Sequence, residues 1–176
     1  MNRTLAAVAA FVAFGAGAPA SAEMNPKLAA FKALVGKTFR GTFPGSTPEK
    51  PIVDVQRFEL ALNGQAVRTM HSINDGAYGG ETLIVWDEEK KGLVSYYFTT
   101  AGFYTVGDVR AEGDLLLFHD LVRNDADGVT EVRTSGRVLP DGRLHVKSDY
   151  LKKGEWVPGR EMDYVEDPSA VVRFKD

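Results

Sequence analysis

Three histidines and no cysteine bound the metal and nucleophile chemistry open to this chain of 176 residues. His71, His119 and His145 lie far apart, without the H-x-x-x-H spacing or the cluster with carboxylates that a zinc site wants. Haem needs a single axial imidazole, so one histidine would suffice for it. Without cysteine there are no disulfides, thiolate ligands or thiol nucleophiles, and no G-x-S-x-G elbow offers a serine instead. Side chains alternate between faces along a strand, which allows the histidines to be ranked. His145 shares a face with Lys147 and Asp149 and is expected to meet water. His71 falls with Val67, Thr69 and Ile73 and is expected to point inward. His119 falls with Leu115, Leu117 and Leu121, a face that could be interior, although Leu116, Phe118 and Val122 make the opposite face apolar too. His119 and Asp120 are strand neighbours, so they point apart and cannot form an orienting pair.

The aromatic residues are more suggestive. Tyr96, Tyr97, Phe98, Phe103 and Tyr104 fall on two adjacent strand segments. Alternation separates Leu93, Ser95, Tyr97 and Thr99 from Val94, Tyr96, Phe98 and Thr100, and one set must face inside. The set with Tyr97 and Thr99 has the mixture of apolar wall and oriented hydroxyls found in small-molecule pockets, or its aromatics simply pack. Tyr150 and Trp156 pose the same question near the end of the chain. The candidate lining of an internal cavity is therefore His71, Tyr97, Thr99, His119 and Tyr150. No catalytic residue and no metal site is expected. An enzymatic reading would need inward titratable groups, for which Glu59, Arg133 and Arg160 are the candidates.

The elements that must position these residues are almost all strands. From Lys37 to Val165 about ten segments of strand composition are cut by short turns, among them Asn63-Gly64, Asn74-Asp75-Gly76 and Pro140-Asp141-Gly142. Short turns throughout favour up-and-down order, and such a meander must close or leave an open edge. Gly76, Gly79 and Gly80 precede no helix, so they read as a turn or bulge and not as a phosphate loop. Before the strands, Asn25-Pro26 is a helix-opening pair. Leu28, Phe31, Leu34 and Val35 recur at helical spacing up to Gly36, which predicts an amphipathic helix of about ten residues lying over one barrel mouth. After Glu166 an irregular tail is expected, with Val171–Phe174 as a weak final strand.

Residues 1–22 read as a secretory signal. Arg3 supplies the positive start, Leu5 to Phe14 the apolar middle, and Ala20-Ser21-Ala22 the small-x-small cleavage pattern. Cleavage there leaves one domain beginning at Glu23, destined for the periplasm or the exterior, with no stable membrane insertion afterwards. The chain has 21 basic and 24 acidic residues without a basic stripe, which argues against nucleic acid as partner.

Leu34-Val35-Gly36-Lys37-Thr38-Phe39-Arg40-Gly41 resembles the helix end and first strand of lipocalin-like proteins of the calycin superfamily, where G-x-W-x-G is usual and Phe39 here replaces the Trp. Leu60–Arg68, Gly80–Asp87 and Leu93–Thr99 follow in the same order and spacing. Together they are similar to small, uncharacterised bacterial lipocalin-like barrels, with nitrobindin-like proteins more distant. The resemblance covers about Leu28 to Val165. It implies a single-domain barrel with a small, often hydrophobic molecule inside, and nitrobindin-like relatives bind haem through a histidine. The expectation is an exported, up-and-down antiparallel β-barrel of about ten strands that binds a small apolar or amphipathic molecule without catalysis, as a monomer or small homo-oligomer. A haem-binding barrel using His71 or His119 is the alternative, and a structural or protein-interaction module is a further one.

Overall fold

The computed structural model describes residues 23–124 and 127–175, so the signal-peptide reading lies outside the described residues. Ten strands follow one another: β1 Thr38–Thr42, β2 Val53–Ala61, β3 Ala66–Ile73, β4 Tyr78–Asp87, β5 Gly92–Thr99, β6 Tyr104–Glu112, β7 Leu115–Arg123, β8 Val129–Val138, β9 Leu144–Lys152 and β10 Glu155–Glu166. Each pairs antiparallel with its sequence neighbours, and β1 pairs with β10, so the sheet closes into an up-and-down barrel. Closure removes the exposed edges that an open meander of this length would present.

Turn chemistry explains the sharp reversals. The β2–β3 connection is a short 3-10 turn, Leu62–Gly64, in which Leu62, Asn63 and Gly64 all take positive φ. Asn and Gly tolerate that region, whereas Leu62 pays for it with strain and projects into solvent.

The N-terminal helix differs from expectation. Asn25 caps it as the sequence suggests, its side chain accepting from the Lys27 amide at 2.9 Å. The element itself is a 3-10 helix, Pro26–Phe31, followed by turns. Three-residue hydrogen bonds such as Leu28 N–H to Asn25 O and Leu34 N–H to Phe31 O dominate the segment. A segment this short has little helical stability of its own, so packing decides its winding. Leu28 and Phe31 are fully buried and Leu34 nearly so. They join Phe39, Phe58, Val67, Ile84, Leu93, Leu116 and Leu144 in one apolar cluster. Phe31 meets Phe118 edge-on at 6.5 Å between ring centroids, and Lys27 lies over Trp86. The segment thus closes one barrel end from within the core.

The tail after β10 forms no strand. It lies against β3 and β4, with the Arg173 amide donating to Ser72 Oγ at 3.1 Å and the Phe174 ring beside Gly79.

Because Phe31 fills the closed end with a complete aromatic side chain, Phe31→Ala should lower the unfolding free energy by about 3–5 kcal/mol, measured by urea denaturation. A loss below about 1 kcal/mol would mean that the segment rests on the barrel without closing it.

Candidate functional site

Alternation places one residue of every strand pair inside, and the inward set changes character along the barrel. Near the 3-10 helix it is apolar, through Phe58, Val67, Ile84, Leu93, Leu116 and Leu144. Further along it becomes mixed, with His71, Tyr78, Tyr97, Ser95, Asp120, Thr134, Ser148, Tyr150 and Arg160 facing a cavity of about 490 Å3.

The centre of the mixed zone is Asp54, whose side chain has no solvent exposure. Its Oδ2 accepts from the Tyr164 hydroxyl at 2.8 Å, from Gln56 Nε2 at 3.2 Å and from Arg160 Nη1 at 3.3 Å. Its Oδ1 accepts from His71 Nδ1 at 3.1 Å. Burial by itself would raise the Asp54 pKa. The hydrogen bond from His71, the charge of Arg160 and the hydrogen bond from Tyr164 outweigh burial and hold the carboxyl below the ordinary aspartate value. An ionised carboxylate only accepts, so the His71 proton belongs on Nδ1 and neutral Nε2 accepts from the Tyr97 hydroxyl at 2.7 Å. The Tyr78 hydroxyl then donates to Tyr97 at 3.0 Å. Burial pushes the phenols of Tyr97, Tyr164 and Tyr78 upward, so all three stay protonated as donors.

Mid-strand glycines make these reaches across the sheet possible. Gly41 on β1 pairs with Tyr164 of β10 on one side and with Asp54 of β2 on the other. A Cβ there would stand 2.6 Å from Met162 Cε and 2.7 Å from Tyr164 Cδ1, in the space the Tyr164 ring uses to cross to Asp54. Gly80 on β4 sits opposite His71 of β3, and the Tyr97 ring from β5 passes over it. Gly107 on β6 stands between Ser95 of β5 and Asp120 of β7, and over it Ser95 Oγ donates to Asp120 at 2.7 Å. In each case the missing side chain joins residues two strands apart.

Asp120 forms a second polar spot on the cavity wall. Burial raises its pKa, against the lowering effects of Ser95 and Thr105. Thr105 is buried beside it, yet its hydroxyl makes no hydrogen bond of good geometry.

Of the candidates named from sequence, His71, Tyr97 and Tyr150 line the cavity. Thr99 lies at the end of β5, where its hydroxyl donates to the Phe103 carbonyl at 2.8 Å, and it is not in the cavity wall. His119 faces outward: its side chain is 49% exposed, 2.6 Å from Glu131, with the Trp156 ring nearby. Because β7 is apolar on both faces, composition could not settle its parity. The inward residues are Leu116, Phe118, Asp120 and Val122. His145 is on the outside, bonded to Asp163 at 2.7 Å. Arg160 is inside as foreseen, whereas Glu59 pairs with Arg57 and Arg68, and Arg133 stacks over Trp156 at 3.9 Å. Sequence reasoning missed Asp54, Gln56, Tyr164 and Asp120. The glycines interrupting β1, β4 and β6 were the signal that could have found them.

Axial ligation of haem does not fit these histidines as placed. Both ring nitrogens of His71 are committed, to Asp54 and Tyr97, while His119 and His145 lie outside the barrel. Among the described residues no group of three or more His, Cys, Asp or Glu is arranged to hold a metal ion.

No protein-family model matches the chain, and no curated protein matches it. Among solved structures it is similar to one titled "Crystal Structure of Rv2717c from M. tuberculosis", with 17% identity and a TM-score of 0.55. The match covers 82% of this chain and 98% of that one, and it shows a shared barrel fold.

Two variants test this wiring. Gly80→Ala sets a Cβ 2.8 Å from Tyr97 Cζ and 2.5 Å from the Phe98 carbonyl oxygen. It should cost about 1–3 kcal/mol in urea denaturation, and unchanged stability would show that Tyr97 is not held across β4. Asp120→Asn keeps an acceptor for Ser95 and removes the buried charge. A carboxyl with a raised folded pKa destabilises the native state progressively as pH climbs from its unfolded value, near 3.9, through the folded value. The variant should therefore melt higher than wild type at neutral pH, with the gap narrowing as pH falls through the raised folded value and gone below about 4. A gap independent of pH would contradict the raised pKa.

Proposed function

We propose that this barrel is an exported carrier that holds one small apolar or amphipathic molecule in its interior and performs no chemistry on it. The observation that carries this reading is the cavity of about 490 Å3, which lies within the range of small-molecule sites. Its apolar walls include Phe43, Phe58, Ile84, Phe103 and Phe118, and the remaining lining is polar, with His71, Tyr97, Tyr150 and Arg160 among it. Ligand burial contributes roughly 25 cal/mol per Å2 of apolar surface, and the polar spots fix orientation.

The Asp54–His71–Tyr97 series has the order of a proton relay but not its poise. Asp54 is held below the usual carboxylate range and carries four donors, while Tyr97 is pushed up and keeps its proton. A general base works best with a pKa near the operating pH, and these shifts lead away from it. The network is better suited to stiffening a wall.

Native mass spectrometry of protein purified from its own host should show a co-purifying mass of small-molecule size. A saturating ligand at a hundred times its dissociation constant adds about 2.7 kcal/mol to stability, so stripping it should lower the melting temperature measurably. Protein that arrives empty and binds no apolar fluorescent probe in solution would sink the carrier reading. Hemin titration is the contrasting arm: no Soret shift is expected, and a shift abolished by His71→Ala would favour the haem alternative instead.

A further inference from the structure

The hydrogen bonds in the polar zone do not balance, and the surplus lies on one side. Asp54 receives four donors, which fills the acceptor sites of a carboxylate. The hydroxyls of Tyr97 and Tyr78 are spent along the chain that ends at His71. Gln56 donates to both Asp54 and Tyr164.

Two groups retain donors beyond these. Arg160, three-quarters buried, touches Asp54 through Nη1 alone at 3.3 Å, longer than the roughly 2.7–2.9 Å of a good charged pair. The rest of its guanidinium has no hydrogen-bond partner among the described residues. Tyr150 lines the same cavity, and its hydroxyl likewise has no partner there. The two are placed together by the irregularity in β10 between Pro158 and Glu161, where the Tyr150 ring lies against Gly159. A Cβ on Gly159 would stand 2.6 Å from Tyr150 Cε2, so the bare backbone seats that ring beside Arg160.

Building on the carrier reading above, we infer that the cavity is made for an amphipathic molecule with an oxyanion head, a carboxylate being the simplest. Arg160 and Tyr150 bind the head, and the apolar tail lies toward Phe58, Ile84 and Phe118. The chemistry favours two oxygens over one. A guanidinium presents parallel N–H groups that match a carboxylate edge, and the phenol supplies a further donor to the same head. A neutral alcohol would leave most of these donors unused. At the spot formed by Arg160 and Tyr150 an ammonium head would bring donors to donors and would face the Arg160 charge.

The test is calorimetric titration of the folded, stripped protein with decanoate, decanol and decylamine at slightly alkaline pH. Decanoate should bind about tenfold or more tightly than decanol, the worth of one charged hydrogen bond or better, and decylamine weakest. Tyr150→Phe removes a hydroxyl without partners, so it should fold normally and weaken decanoate severalfold while sparing decanol. Arg160→Met alone would strand the Asp54 charge, so the paired variant Asp54→Asn with Arg160→Met is the cleaner removal. In it the preference for decanoate should vanish. Equal affinity for decanol and decanoate, or a preference that survives the paired variant, overturns the oxyanion inference and leaves the carrier reading standing. Failure of all three probes, together with an empty protein from the native host, removes both.

Discussion

A carboxylate taken wholly out of water must be ringed by donors, because an uncompensated buried charge costs several kcal/mol. Asp54 is in that position, and its donors come from β2, β3 and β10. Between β2 and β10 runs β1, a five-residue strand that pairs with β10 only over Phe39–Gly41. The seam where the meander closes is thus its narrowest, and Tyr164 and Arg160 reach over it to grip Asp54. Closing the sheet and satisfying the charge are one event. The bare Gly41 that permits the crossing belongs to the same device.

Three of the polar reaches run along the wall across bare glycines, Tyr164 over Gly41, Tyr97 over Gly80 and Ser95 to Asp120 over Gly107. The interior combines a dry, close-packed end under the 3-10 helix with a roomy mixed zone beyond it. Asp120 is the strained partner in this division, since its burial raises the pKa against the lowering effects of Ser95 and Thr105. Residues kept at such a cost to stability are commonly those that meet a ligand.

Most of the scaffold is legible in the chain. The ten strands fall within a few residues of the segments marked off by Asn-Gly, Asp-Gly and Pro-Asp-Gly turns, because turn chemistry and period-two alternation are local. Ring closure followed from the need to hide an edge. His71 could be placed inside because it falls with Val67, Thr69 and Ile73, whereas both faces of the strand that carries Tyr97 mix apolar and hydroxylic residues. His119 could not, because Leu115, Leu117 and Leu121 are as apolar as Leu116, Phe118 and Val122. The N-terminal segment kept its cap and buried residues but not its winding, which packing sets. The Asp54 network was not read because its partners on β10 are joined by registers more than a hundred positions apart, and the mid-strand glycines were its one local trace.

Asp54 and Tyr164 are separated by 110 residues, and β10 is the last strand of the chain. A polypeptide emerging from its N-terminal end, from ribosome or pore, presents Asp54 long before two of its donors exist. Until the twelve residues of β10 arrive, β1 and β9 each lack a partner and the cylinder stays unlatched. Locking is therefore reserved for the finished molecule, and a truncated product carries a buried-charge defect that marks it as incomplete.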